Sequence, residues 1–228
     1  MEVMGMARSE AKRQKKLMKK RRKDKMRRKG KRQAFPDISK TRMILNAREY
    51  PIHECLINSS WRDQGIASIL LSRRQPDGRI VFGLYLVDIF CLGLKDTLCN
   101  ANVPFSTYEG EIKPRGYLAD KPVKCPIPLA HSIIYGGIEY AEKLGFKPHK
   151  DFKLSKHILE EPDKIERVKV EFGKEGKPFY IPGPRDDPRK VRKIIKQLER
   201  SVGPGNFDFL IHLEDESGVI ELLKSMRK

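Results

Sequence analysis

Three carboxylates set the sharpest chemical expectation. Asp88 and Asp96 flank the end of a long apolar run, and Glu139 lies in a later amphipathic stretch that Asp151 follows. Acids brought together from a strand and a helix can hold Mg²⁺ and activate water for phosphodiester hydrolysis. Asp88, Asp96 and Glu139 are therefore the candidate catalytic residues, with Mg²⁺ the cofactor of that alternative alone. If the run from Ile80 is one straight strand, Asp88 shares a face with Ile80, Phe82, Leu84 and Leu86 and stands as an acid in an apolar row. The competing reading is local: Asp88 bonds to nearby backbone and Asp96 caps a turn.

His53, Cys55, Cys91, Cys99, Cys125, His131, His149 and His157 offer zinc-type ligands. Structural zinc usually takes a short chelating pair of the C-x2-4-C kind. Cys91 and Cys99 are separated by seven residues, and no C-x-x-C pair occurs. No metal site and no resident cofactor are assigned. Gly183-Pro184 lacks the glycines and the Lys-Ser/Thr ending of a phosphate loop and reads as a turn. Four scattered cysteines fit free thiols in a reducing compartment.

Charge gives a different signal. The formal net charge of the 228 residues is +18. Residues 1–34 hold sixteen Lys and Arg against three acids, a net of +13, which leaves +5 for the remainder. A one-ended block of this kind reads as an interaction arm for a polyanion. Lys15, Lys16, Lys19, Lys20, Arg21, Arg22, Lys23, Arg27, Arg28 and Lys29 are its candidate nucleic-acid contacts. Like charges at i,i+4 repel, so the free arm is expected to be disordered or a frayed helix that phosphates would order. The arm lacks the apolar face that a membrane-surface helix needs. Trp61, Phe105, Tyr108 and Tyr117 fall in expected loops, where each can stack on an unpaired base or simply pack.

The elements that must position these residues start from an apolar hairpin, Gly65 to Asp96. Pro76-Asp77-Gly78 supplies its turn, and runs rich in Ile, Val, Leu, Phe and Tyr supply strands covered on both faces. Ile52–Ile57 reads as a preceding strand, and residues 97–127 as an irregular loop. Pro128 to Leu144 is an amphipathic helix with Gly145 as its C-cap, and Gly136-Gly137 marks a close approach to the sheet or to a ligand. Val168 to Phe172 alternates as a half-exposed strand, turning through 173–176 into a return strand at Phe179–Ile181. Asp187 caps a helix with Pro188 at its first position and Arg189, Lys190, Arg192, Lys193 and Lys196 facing outward. A strand at Phe207–Leu213 and a helix at Val219–Met226 close the chain.

The expected architecture is one α+β domain over residues 35–228, with antiparallel hairpins and packed helices, preceded by the basic arm at 1–34. The expected function is nucleic-acid binding, RNA ahead of DNA because no helix reads as a major-groove reader. The alternatives are a Mg²⁺-dependent nuclease and a non-catalytic module for protein partners. A cytoplasmic site is expected, nuclear in a eukaryote. The expectation includes no secretion signal and no membrane span, since no apolar run reaches ~18–20 residues.

Overall fold

The computed structural model describes residues 38–118, 120–183 and 186–210. The basic arm and the expected terminal helix lie outside the described residues. The chain divides between Thr41 and Arg42. Of the first unit only residues 38–41 are described, the opening turn of helix α1 (Ile38–Leu45).

The second unit has a mixed α+β fold. Its sheet has five strands, β1 (Ile52–Asn58), β2 (Ile66–Arg74), β3 (Ile80–Asp88), β4 (Gly93–Val103) and β5 (Pro122–Lys124), in the order β4-β3-β2-β1-β5. Every pairing in it is antiparallel. The central hairpin is β2–β3, running in unbroken register from Ile66↔Asp88 to Arg74↔Ile80. Its turn closes as the sequence dictates: Gly78 takes φ +81°, and the Arg79 N–H donates to Asp77 Oδ1 at 3.0 Å.

The apolar run after Ile80 is two strands rather than one. β3 stops at Asp88, a tight turn follows, and β4 returns along β3 to Val103. The stretch expected to be irregular from residue 97 is thus sheet as far as Val103. β4 escapes a reading by composition because it carries Lys95, Asp96, Asn100 and Asn102. It lies at the sheet edge, where the outer face tolerates them. The register shifts between Leu86 and Val87 opposite Lys95, a bulge that re-aims the side chains at the strand entry.

Both sheet faces are covered. One carries Ile57, Ala67, Ile69, Leu71, Tyr85, Val87 and Leu94 against helix α2 (Ile127–Lys143). The other carries Leu56, Leu70, Ile80 and Phe82 against Tyr108, from a helical segment that spans 105–116 and includes a π-turn at Tyr108–Ile112, and against Tyr117, which caps that segment's end. The mid-helix glycines serve close approach: a Cβ at Gly137 would stand 2.7 Å from Val87 Cγ1, and one at Gly136 2.8 Å from the Phe172 ring.

Val168–Phe172 joins no ladder, so the expected strand is an anchored strap. Val170 and Phe172 pack on the core, while Lys169 and Glu171 are exposed. The return strand pairs elsewhere: β6 (Phe179–Tyr180) runs parallel to β7 (Asp208–Phe209). Helix α3 (Pro188–Val202) begins as expected, with Asp187 Oδ1 accepting from the Lys190 N–H at 2.8 Å. Its apolar side, Ile194, Ile195 and Leu198, packs with Cys91, Leu144, Tyr180 and Phe207. Among the described residues no helix is long and apolar enough to cross a membrane.

Candidate functional site

The three candidate acids are engaged separately. Asp88 is buried at the end of β3, and its Oδ1 accepts from the N–H groups of Phe90 (3.0 Å) and Cys91 (2.9 Å). Burial pushes its carboxyl up, while Lys95, whose Nζ lies 3.9 Å from Oδ2, and the turn N–H groups pull it down. The local reading describes this residue: it closes the β3–β4 turn. Asp96 is exposed, 3.8 Å from His149 Nε2, and His149 Nδ1 lies 3.8 Å from Asp151. Glu139 is held by Arg167, whose NH1 reaches both its oxygens at 2.7 and 2.8 Å. Among the described residues these carboxylates form no three-ligand group.

One other trio does. His53, Glu54 and Glu109 bring ligand atoms within 4.8 Å of one another. A side-chain cation already sits among them, with Lys113 Nζ 3.1 Å from Glu54 and 3.3 Å from Glu109. The Tyr108 hydroxyl donates to Glu54 at 2.7 Å and lies 3.0 Å from Ser72 Oγ. Glu54 is therefore fully employed in tying the 105–116 segment to the sheet. None of the four cysteines belongs to this group, and all four are free thiols.

The flagged aromatics separate by burial. Tyr108, Tyr117 and Trp61 are buried, whereas Phe105 is exposed and carries the Arg74 guanidinium 5.7 Å from its ring centre. Trp61 nonetheless borders a cleft. It has a volume of about 370 Å³ and is lined by Trp61, Arg62, Phe90, Lys169 and Glu171, with Ile89, Val170 and Gly173. Gly65 makes room for its wall, because a Cβ there would lie 2.1 Å from the Phe90 ring, and its φ of +70° favours glycine. Arg62 lies 4.9 Å over the Trp61 ring. The strap contributes part of this lining and is tied by the Val168 N–H to Ser132 Oγ (2.9 Å) and by the Gly173 N–H to the Ile89 carbonyl (2.9 Å). Sequence reading picks out Trp61 but not its partners, which come from three separate stretches. The available signal was the alternation of 168–172, which sets Lys169 and Glu171 on the outer side.

The other charged surface is α3. Arg189, Arg192, Lys193, Lys196 and Arg200 recur at i, i+3, i+4, i+7 and i+11, one stripe opposite the buried Ile194, Ile195 and Leu198. Lys190 leaves that stripe to pair with Asp186 at 2.5 Å. The arm residues Lys15, Lys16, Lys19, Lys20, Arg21, Arg22, Lys23, Arg27, Arg28 and Lys29 lie outside the described residues.

No relative speaks for the chain. No protein-family model matches it, and neither a curated protein nor a solved structure does.

Proposed function

We propose that the protein binds nucleic acid, RNA ahead of DNA, chiefly through phosphate contacts in a reducing compartment. The carrying observation is the charge partition: +13 within the first 34 residues against +5 for all the rest. Condensed counterions leave a polyanion when such a block binds, so affinity is strong at low salt and largely blind to sequence. The α3 stripe supports the reading as a second cationic surface. Its outward residues are Lys and Arg, which position a backbone rather than read bases. The nuclease alternative needs acids converging on a metal, and Asp88, Asp96 and Glu139 each have a different partner.

Anisotropy of labelled single-stranded RNA and duplex DNA, followed across a salt series, tests this. The full chain is expected to bind both with a steep negative salt slope, RNA the tighter. Replacing the ten arm residues from Lys15 to Lys29 with Gln is expected to cost at least about 100-fold in affinity. Absence of binding at about 50 mM salt, or binding indifferent to salt, overturns the proposal.

A further inference from the structure

Phosphate binding alone leaves the Trp61 cleft without a role. Its volume of about 370 Å³ falls within the range of small-ligand sites. Three chemistries meet in it. Trp61 and Phe90 give an aromatic wall, Arg62 and Lys169 give two exposed cations, and Glu171 gives an acceptor. The Arg62 guanidinium, 4.9 Å from the indole centre, extends that wall toward solvent as a planar cation. Because the strap is tied at both ends, Lys169 and Glu171 line the cleft from a fixed span.

An apolar ligand has no use for two cations and a carboxylate, and a bare anion has none for an aromatic wall. A nucleotide uses all three: a π-face for the base, cations for the phosphate, and an acceptor for an exocyclic amine. We propose that the cleft binds one unpaired nucleotide of a single-stranded nucleic acid, with its base against Arg62 and Trp61, its phosphate at Lys169 and its amine at Glu171. The proposal rests on the nucleic-acid reading and deepens it. The cationic block holds the polymer, and the cleft favours a strand whose bases are free over a closed duplex.

Trp61 is the single tryptophan of the chain, so the intrinsic fluorescence of the full-length protein reports on this wall. Titration with AMP is expected to change it saturably, with adenosine and inorganic phosphate each about tenfold weaker or worse. Arg62→Ala and Lys169→Ala are each expected to weaken AMP about tenfold with unchanged circular dichroism. No saturable response below about 10 mM AMP, or an equal response to phosphate alone, overturns the cleft assignment. If labelled RNA still binds with a steep salt slope in that case, only the cleft proposal fails. If AMP binds but RNA does not, the polymer reading fails and the cleft stands as a mononucleotide site.

Discussion

His131 shows how a residue that suggests metal chemistry is accounted for by packing. It is almost wholly buried on α2, and its Nε2 accepts from the Glu160 N–H at 3.3 Å. Burial, reinforced by the nearby Arg73, Arg167 and Arg48 against the opposing Glu160, pushes its pKa down to about 4. Protonation would also put a donor on Nε2, facing a donor. The folded state thus prefers neutral imidazole, whereas the unfolded chain takes up a proton near 6.5. Between those values the unfolded state binds more protons, so this contribution is complete above about 6.5 and is lost as pH falls toward 4. It amounts to on the order of 3 kcal/mol. Asp88, whose carboxyl burial pushes up, contributes with the opposite sign as pH rises. The measurement is therefore a comparison: urea unfolding of His131→Gln and parent at pH 7, 5.5 and 4.5. Gln keeps an acceptor without the titration, and the parent's stability advantage is expected to shrink as pH falls. Equal pH slopes for the two proteins would remove His131 from the account.

At the scale of elements, the junction of α2 with the β3–β4 turn sets the tolerance of the fold. Gly93 has φ +62°, and a Cβ there would stand 2.4 Å from the Gly137 carbonyl oxygen and 2.6 Å from Ala141 Cβ. Gly93→Ala is expected to cost roughly 2–5 kcal/mol, combining the left-handed backbone penalty with displacement of helix backbone. Gly176 also has positive φ, +79°, but open space around it. Gly176→Ala should show the backbone penalty alone, about 1–2 kcal/mol, and chemical denaturation of both separates the two effects. This junction was half legible. The Gly136-Gly137 pair announces a close approach, because glycine inside a helix costs stability that something must offset. Hairpin β2–β3, α2 and the Asp187 cap were legible for a related reason: turn residues, apolar spacing and caps act within a few positions. β4 was not, since an edge strand rich in Lys, Asp and Asn is defined by the partner it finds. The strap at 168–172 shows the converse: Val170 and Phe172 pack inward as the alternation predicts, but Val168 is exposed and no partner strand pairs with it. The cleft is furthest from sequence, because Trp61, Phe90 and Lys169 become neighbours only after three segments have packed.

For the whole molecule the question is whether charge acts as a total or through particular surfaces. A chain of net charge +18 attracts any polyanion at long range, and that attraction alone would make scattered neutralisations equivalent. Counterion release distinguishes the cases, since the salt slope counts cations placed at phosphates and scales as about −0.7 per contact on single strands. Arg189, Lys193, Lys196 and Arg200 lie on the exposed stripe of α3, whereas Lys150, Lys153, Lys156 and Lys164 are exposed on the connection after α2. Changing either set of four to Gln removes the same net charge. If α3 contacts the polymer, the first variant should flatten the RNA salt slope by roughly 2–3 and the second should leave it near the parent value. Equal, small changes in both would assign the affinity to the N-terminal block and return α3 to an ordinary solvated helix. Its buried side, Ile194, Ile195 and Leu198, is untouched by either set, so both variants should keep the parent's unfolding midpoint. A slope lost without loss of stability therefore reads as a lost contact, not as a damaged fold.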